Sequence, residues 1–333
     1  MKAVYFEQGG ASGVLQYGNR DEPEFCGDRQ VRVRIKAAGI NPVDCKIRTA
    51  PDRFPVSFPV IPGCDGAGIV ETVGLQVQTF EPGDEVYFSQ PGFNRRHGTY
   101  AEYVCVDESL LARKPQSLSF EQAAAAPLVL ITAWEALHDR ARIDSGYKLL
   151  VAAGAGGVGH VAIQLAKLAG ASVITTVSSD EKAEFAKRMG ADMAVNYLTD
   201  NVVESVMDWT GGEGVDIAFD TVGPAVLQHC FSCVKPYGDV VSILQPASDT
   251  DWSDARLRNI RFSLEMMLTP VIMEHDGAKR HQGEILQRCA ALIDENQLSV
   301  EVARSFDLAE AAAAQDFLEQ QHPVGKVVLT VGP

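Results

Sequence analysis

A glycine-rich stretch at residues 151–159, read as VAAGAGGVG, is the part of this sequence with the clearest chemical purpose. Its G-x-G-x-x-G spacing lies between an apolar run typical of a buried strand and a segment with helical periodicity, the setting in which such a loop binds a dinucleotide. Gly154 permits the tight turn, Gly156 lets the backbone approach the pyrophosphate, and Gly159 lets helix and strand pack closely. Unpaired N–H groups at the positive helix end complete the anion site. The predicted cofactor contacts in this loop are Gly154, Gly156, Gly157, Val158 and Gly159.

The next predicted strand, residues 172–177, bears on which nicotinamide cofactor is bound. NAD-specific folds place a carboxylate at the end of this strand to accept from the ribose hydroxyls, but Val177 and Ser178 stand there. Two acids follow as first-turn residues of a helix predicted at 181–189. Ser178 and Lys182 are suited to binding a 2′-phosphate, which favours NADPH over NADH. The alternative is that Lys182 is an ordinary solvated helix residue.

Length and composition bound the class of protein. The 333 residues suffice for two domains, and 46% hydrophobic with 22% charged residues is ordinary for a globular protein. A net charge of −15 argues against nucleic acid or an anionic membrane as the main partner. The N-terminus reads as a strand and not as a signal peptide, and the longest apolar stretch, 123–133, is too short for a membrane span. These two features, together with seven cysteines that are scattered along the sequence, predict a cytoplasmic protein.

The pattern of predicted secondary structure changes twice along the chain. Residues 1–125 show short strands with glycine and proline turns, which is typical of a partly open β-barrel. Residues 126–270 alternate strands and helices, as a doubly wound parallel sheet does. After a helix at 281–296 and an alanine-rich helix, a last strand returns to the first domain. We therefore predict an α/β protein with a catalytic domain from 1–125 and 271–333 and a Rossmann domain from 126–270. Its strands are predicted at 148–153, 172–177, 192–196, 215–219, 239–244 and 261–267.

Six short blocks of sequence occur together in this chain. They are the glycine loop, AGINPVD at 38–44, IPGCDGAG at 61–68, GTYAEY at 98–103, AAAAP at 123–127 with ITA at 131–133, and GKVV at 325–328. In this order they resemble the medium-chain dehydrogenase/reductase superfamily, and most of all its zinc-independent quinone oxidoreductase branch. The resemblance covers essentially the whole chain. It implies a GroES-like barrel domain and a Rossmann domain, with the active site in the cleft between them.

The resemblance also implies roles for individual residues. Asn41 and Thr132 are expected beside the nicotinamide, and Asp44 is expected to hydrogen-bond at the floor of the pocket. These three are the predicted catalytic residues. A turn is the alternative interpretation of Asn41, because proline restrains the residue before it to extended geometry. The positions that match 2′-phosphate contacts of NADPH-using quinone reductases are Ser178, Lys182 and Tyr197, and Tyr197 is alternatively packing at a strand end.

Zinc is not expected in this chain. Zinc dehydrogenases of the superfamily hold the catalytic metal with a cysteine, a histidine and a second cysteine, and the first two positions here match Asn41 and Cys64. No third thiolate is available near Ile131, and residues 87–97 lack the cysteines of a structural zinc lobe. A catalytic zinc needs three protein ligands. Without a Lewis acid, acceptors that delocalise the arriving charge are favoured, namely quinones or the conjugated double bond of enals and enones.

The sequence therefore predicts an NADPH-dependent, zinc-independent reductase of small quinones or α,β-unsaturated carbonyls. The loop at 47–54 lacks a tyrosine that the quinone reductase branch commonly carries, which leaves enone reduction equally open. One alternative is a zinc-type alcohol dehydrogenase-like enzyme. Another is a non-catalytic, crystallin-like NADPH-binding protein. An apolar terminal strand at 261–268 predicts a homodimer, because an exposed edge strand invites pairing with a second copy.

Overall fold

The structure, a computed structural model, describes residues 1–25, 27–94 and 96–332. It divides into two compact units, one formed by Met1–Leu128 and Leu268–Pro333 and the other by Val129–Met267. These boundaries lie three residues from the predicted domain limits, at 128 against 125 and at 267 against 270. No helix among the described residues is long and apolar enough to cross a membrane.

Strands predominate in the first 113 residues, and strands alternate with helices through most of the second unit. The strands of the described residues are β1 (Lys2–Tyr5), β2 (Gln16–Asn19), β3 (Gln30–Ile40), β4 (Asp65–Val73), β5 (Glu85–Ser89), β6 (Tyr103–Asp107), β7 (Leu111–Arg113), β8 (Lys148–Val151), β9 (Ser172–Val177), β10 (Met193–Asn196), β11 (Val215–Asp220), β12 (Val234–Ser242), β13 (Arg261–Leu264), β14 (Val302–Asp307) and β15 (Lys326–Thr330). The α-helices are α1 (Pro42–Thr49), α2 (Phe120–Ala124), α3 (Pro127–Trp134), α4 (Gly157–Leu168), α5 (Asp180–Arg188), α6 (Val202–Thr210), α7 (Pro224–Cys233), α8 (Ser253–Leu257), α9 (Thr269–Ile272), α10 (Asp276–Asp294) and α11 (Ala311–Gln321).

The second unit is built on a six-stranded parallel sheet in the order β10-β9-β8-β11-β12-β13. This is the strand order of the predicted Rossmann fold, in which two halves diverge from the central pair β8 and β11. The central strands are apolar and buried, because helices cover both faces of such a sheet. Ligands of this fold bind outside the carboxyl ends of the strands at the point where the strand order reverses.

Three predicted element bounds were wrong by three residues or more. Strand β12 begins at Val234, five residues early, because a bulge lets that residue pair with β11. Strand β13 ends at Leu264 and not at 267. Helix α10 begins at Asp276 and not at 281, because the Nδ1 atom of His275 accepts from the N–H of Ala278 at 3.1 Å. Histidine lies outside the usual capping set of serine, threonine, aspartate and asparagine, so the pattern gave no start signal there.

The first unit is built on a seven-stranded, mostly antiparallel sheet in the order β14-β15-β3-β4-β5-β7, with β6 also pairing β3. Strand β3 pairs β4 along one edge. On its other edge it pairs β6 through its first half and β15 through its last residues. This bends the sheet around a core that includes Val33, Ile35, Val86 and Phe88. The arrangement fits the predicted GroES-like domain.

The end of β3 brings distant residues together. Both β15 and β4 run antiparallel to β3, so its last residues meet the first residues of both neighbours. Gly39 lies opposite Asp65 in this register. A Cβ at Gly39 would lie 2.3 Å from the carbonyl oxygen of Ala124 in α2 and 3.0 Å from the Cβ of Asp65. Glycine is therefore required here, because it lets α2 and β4 approach the end of β3.

Candidate functional site

The glycine loop connects β8 to α4 in the second unit. Gly156 is the N-cap of α4, and Ala153 turns the chain with a φ of +55°. The N–H of Ala153 donates to Oγ1 of Thr176 at 3.0 Å, and the N–H of Gly154 donates to the carbonyl of Thr176 at 3.1 Å. These bonds fix the turn against β9. The left-handed residue of the turn is thus Ala153, whereas the sequence assigned the tight turn to Gly154.

The three motif glycines differ in what a side chain would meet. A Cβ at Gly154 would lie 2.1 Å from Oγ1 of Thr175, and one at Gly159 would lie 2.3 Å from the carbonyl oxygen of Ala153. Both positions are closed by packing between the loop, β9 and α4. At Gly156 the nearest atom is the carbonyl oxygen of Ala153, at 3.3 Å. Space next to Gly156 is therefore left for a ligand to approach the backbone.

The start of α4 is suited to an anion. The N–H groups of Gly157, Val158 and Gly159 have no partner within the helix, as at every helix N-terminus. The glycine cap supplies no side-chain acceptor for them, and no acidic side chain stands in the first turn. The positive end of the helix dipole adds to the attraction. The loop therefore fits the pyrophosphate of a dinucleotide.

The residues predicted to contact a 2′-phosphate come from neighbouring elements of the second unit. The N–H of Tyr197 donates to the carbonyl of Val177 at 3.0 Å, which places Tyr197 beside the end of β9, where Ser178 follows. Helix α5 begins at Asp180, two residues after Ser178, and its N-cap Ser179 accepts through its hydroxyl from the N–H of Lys182 at 3.3 Å. Tyr197 is 51% exposed, which disfavours the alternative that it is packing at a strand end.

A buried polar cluster lies in the first unit, where β3 ends. Asn41, which is 1% exposed, donates from Nδ2 to Oδ2 of Asp65 at 2.9 Å, and its Oδ1 accepts a short hydrogen bond from Nζ of Lys326. Its backbone N–H donates to Oδ2 of Asp44 at 2.8 Å. Lys326 also donates to the carbonyl of Ile40 at 2.9 Å, and its Nζ lies 3.8 Å from Oδ2 of Asp65. Each of the residues that these bonds join is at most 4% exposed.

Burial sets the protonation of this cluster. Desolvation raises the pKa of Asp44 to about 7, although the N–H of Asn41 and the thiol of Cys64 donate to its oxygens and oppose the shift. It raises the pKa of Asp65 to about 6, against the attraction of the Lys326 ammonium. Burial lowers the pKa of Lys326 and raises the pKa of the Cys64 thiol well above its usual range. Cys64 is therefore held as a protonated thiol.

The residues at the positions of zinc ligands do not fit a zinc ion. Sγ of Cys64 donates to Oδ1 of Asp44 at 3.2 Å, and both ends of the Asn41 amide are bonded to charged side chains. Zinc takes thiolates, imidazoles and carboxylates as ligands, and catalytic sites supply three of them. In the part of the chain that the structure describes, no group of three histidine, cysteine, aspartate or glutamate side chains is arranged to hold a metal.

Thr132 lies in the second unit, on α3. Its side chain is 4% exposed, and its Oγ1 has no hydrogen-bond partner among the described residues. Nearly all buried polar atoms have a partner, so a buried hydroxyl of this kind marks a place where a ligand or a water is expected. The predicted catalytic residues therefore belong to different units, with Asn41 and Asp44 in the first and Thr132 in the second.

Two residues of the cluster were missed as functional residues by the sequence. Asp65 and Lys326 are the first residues of β4 and β15. The available signal was a charged residue at the head of an otherwise apolar strand, in GCDGAG and in GKVV. That signal is weak, because most charged residues at strand ends are solvated.

Comparison with known proteins decides the family. The sequence profile described as "Alcohol dehydrogenase GroES-like domain" matches residues 27–116, and the one described as "Zinc-binding dehydrogenase" matches residues 189–329. A quinone oxidoreductase of Pseudomonas aeruginosa is 32% identical over 329 residues, covering 98% of this chain and 99% of its own. The chain belongs to the medium-chain dehydrogenase/reductase superfamily. The predicted superfamily and fold class are confirmed.

Two further relatives define the branch of this dehydrogenase/reductase. The chloroplastic NADPH-dependent alkenal/one oxidoreductase of Arabidopsis thaliana is 33% identical over 338 residues, covering 99% of this chain and 79% of the relative. The crystal structure of the Escherichia coli quinone oxidoreductase complexed with NADPH superposes with a TM-score of 0.88 at 28% identity, covering 99% of this chain and 100% of its own. This dehydrogenase/reductase is an oxidoreductase of the quinone oxidoreductase-like branch, from a family that binds nicotinamide dinucleotides.

Proposed function

We propose that this protein is a zinc-independent, NADPH-dependent oxidoreductase that transfers a hydride to quinones or to α,β-unsaturated carbonyl compounds. The observation that carries the proposal is the state of the two residues at zinc-ligand positions. Asn41 is an amide and Cys64 a protonated thiol, and both are bonded to buried carboxyl groups. The names of the relatives, quinone oxidoreductase and alkenal/one oxidoreductase, support this class of acceptor.

The cofactor assignment depends on two groups of residues in the second unit. The glycine loop, comprising Gly154, Gly156, Gly157, Val158 and Gly159, is proposed to hold the pyrophosphate. The end of β9 carries no carboxylate: Ser178 follows the strand, Lys182 lies in the first turn of α5, and the N–H of Tyr197 donates to the carbonyl of Val177. We propose that Ser178, Lys182 and Tyr197 bind the 2′-phosphate, which selects NADPH over NADH.

The chemistry divides between the cofactor and the protein. NADPH supplies the hydride when it is bound. Quinones and enones spread the arriving negative charge over a conjugated system, so hydrogen-bond donors suffice where a simple ketone would need a Lewis acid. Asn41 keeps one Nδ2 hydrogen beyond the one that it donates to Asp65. The Thr132 hydroxyl is a further donor with no partner among the described residues. We propose that these two groups orient the reacting carbonyl or carboxamide, and that Asp44 holds the backbone of Asn41 in place.

Assembly and location follow from other features. Strand β13 is the terminal strand of its sheet, and Leu264 and Met266, at 49% and 51% exposed, present apolar surface there. We propose that two copies pair along this edge in a homodimer. The six described cysteines are buried and form no disulfide with one another, which suits a reducing compartment. We therefore propose that the protein is a cytoplasmic enzyme. Its substrates are small molecules, and it does not act on nucleic acid or membranes.

The deciding experiment is steady-state oxidation of NADPH and of NADH by 1,2-naphthoquinone, 1,4-benzoquinone and a short 2-alkenal, with and without a chelator. We expect turnover with NADPH that the chelator does not change, and the best acceptor identifies the substrate class. Stoichiometric zinc together with loss of activity in chelator would instead support a zinc-type alcohol dehydrogenase-like enzyme. NADPH binding without turnover of any acceptor would support the crystallin-like alternative.

A further inference from the structure

We propose that Lys326 is a positioning residue, which together with Asp65 fixes the orientation of the Asn41 side-chain amide. The three residues begin or follow adjacent strands of the first unit: Lys326 begins β15, Asp65 begins β4, and Asn41 follows β3. Lys326 is 4% exposed and Asp65 is fully buried. The kinetic consequence of this role depends on the proposed function, but the role itself does not.

The two charges define which end of the amide points where. An ammonium only donates hydrogen bonds, and an ionised carboxylate only accepts them. Lys326 bonds to Oδ1 of Asn41, and Asp65 accepts from Nδ2 at 2.9 Å. A rotated amide would place its NH₂ group against the ammonium and its oxygen against the carboxylate. Both contacts would then be repulsive in a buried site, so one orientation is strongly preferred.

The contacts of Lys326 are those of a residue that acts on Asn41. Its Nζ donates to Oδ1 of Asn41 and, at 2.9 Å, to the carbonyl of Ile40, the residue just before it. The distance from Nζ to Oδ2 of Asp65 is 3.8 Å, longer than a hydrogen bond. Oδ1 of Asp65 is occupied by the N–H of Leu128 at 3.0 Å. A lysine that served only to neutralise Asp65 would bond directly to that carboxylate.

The consequence is one hydrogen-bond donor with a fixed direction. The backbone N–H of Asn41 is bonded to Asp44, its Oδ1 to Lys326, and one Nδ2 hydrogen to Asp65. The second Nδ2 hydrogen is thereby aimed along a single direction and is available to a ligand. In a site without a metal, a donor that needs no reorientation stabilises developing charge better than a mobile one.

The first test observes the side-chain amide of Asn41 directly and does not require enzyme turnover. Selective ¹⁵N labelling of asparagine gives the side-chain NH₂ signals, and loss of one pair in Asn41→Ala identifies that of Asn41. In Lys326→Met we expect this pair to shift and to lose protection against hydrogen exchange. The signals of Asn201, which caps α6 in the second unit, stay unchanged as an internal control. An Asn41 pair with unchanged shift and exchange in Lys326→Met would overturn the proposal.

The second test separates positioning from general stability. We expect Lys326→Met to lower kcat by up to about 100-fold with an unchanged KM for NADPH, because the reacting groups lose alignment while the cofactor loop is intact. The matched control is Lys114→Met, whose side chain is 6% exposed and pairs with Glu85 at 3.1 Å. This variant should keep the kcat of the wild type. Equal loss of kcat in both variants would contradict the proposal.

A double variant gives the sharpest outcome. If Lys326 acts through Asn41, Lys326→Met has little further effect on kcat in an Asn41→Ala background. If the two residues act independently, the fold-losses of kcat in the single variants multiply in the double variant. If Lys326→Met does not fold, Lys326→Gln retains a donor without the charge and should show an intermediate loss. A wild-type enzyme inactive on every acceptor would refute the proposed function, and the Asn41 amide signal would still decide the role of Lys326.

Discussion

Nδ2 of Asn41 donates to Oδ2 of Asp65 across 2.9 Å, although 24 positions separate the two residues in the sequence. The bond exists because β4 runs antiparallel to β3, so the first residue of one strand meets the end of the other. It joins the start of α1 to the sheet, and it uses one of the two Nδ2 hydrogens of Asn41. The same carboxylate is the nearest counter-charge of Lys326.

Removing the charge of Asp65 should destabilise the fold. In Asp65→Asn the buried ammonium of Lys326 loses its nearest counter-charge, and we expect the free energy of unfolding to fall by roughly 3–5 kcal/mol. Urea unfolding at neutral pH measures this. The double variant Asp65→Asn/Lys326→Met should recover most of the loss. Asp192→Asn is the control, because its pair with Lys167 is partly exposed and contributes less than about 1 kcal/mol. Equal losses for both single variants would contradict the prediction.

Asp44 should make stability depend on pH. Its pKa in the folded protein is about 7 against an ordinary 3.8, so the folded state holds a proton that the unfolded chain has released. The contribution to the free energy of unfolding therefore falls as pH rises from about 4 to about 7, by up to about 1.4 kcal/mol per pH unit. We expect Asp44→Asn to remove this slope. Urea unfolding of both proteins across that range checks it, and parallel curves would refute the assignment.

Alanine substitutions at two glycines of the loop should have different effects. Gly159→Ala places a Cβ 2.3 Å from the carbonyl oxygen of Ala153, so we expect both the melting temperature and NADPH affinity to fall. Gly156→Ala places a Cβ 3.3 Å from a single atom, the carbonyl oxygen of Ala153, so we expect a much smaller fall in melting temperature together with weakened NADPH binding. Fluorescence titration and thermal unfolding separate the two effects. Gly13→Ala, with open space around its Cβ, is the control. Full NADPH affinity in Gly156→Ala would argue against pyrophosphate binding at this loop.

Lys182 should determine the choice of cofactor. We expect Lys182→Ala to lower kcat/KM for NADPH by about tenfold or more while leaving that for NADH unchanged, because only NADPH carries the 2′-phosphate. Lys187→Ala, at an exposed position near the end of the same helix, should change neither value. An equal loss of kcat/KM with both cofactors would show that Lys182 does not act through the 2′-phosphate.

The edge of the parallel sheet should control assembly. Leu264 is 49% exposed on the terminal strand β13, and we expect Leu264→Lys to convert a dimer into monomers, because a lysine on an edge strand opposes pairing. Sedimentation equilibrium measures the mass. Leu75→Lys, which changes an even more exposed leucine of the first unit, should leave the dimer intact. A wild-type chain that is monomeric at micromolar concentration would reject the dimer itself.

The glycine loop could be predicted from the sequence alone, because the residues that define it are close together in the chain. Three glycines at fixed spacing between an apolar strand and a helix define the turn and the helix end within nine residues. Even there, packing decided a detail: the hydrogen bonds to Thr176 make Ala153 the left-handed residue of the turn. The doubly wound parallel sheet of the Rossmann unit was also predicted from local alternation of strands and helices, whereas the order of its strands comes from the structure.

The buried cluster around Asn41 was decided only by the tertiary structure. The resemblance pointed to Asn41 and Asp44, which are close in sequence, but it did not link them to Lys326, which lies 285 positions further along. That contact depends on the register of β15 and β4 against β3 and on Gly39, which admits α2 at close range. Strand register comes from pairing across the whole unit. Lys326, to which no role was assigned from the sequence, thus becomes the buried partner of Asn41, because strand pairing places its ammonium beside the side-chain oxygen of Asn41 and the carbonyl of Ile40.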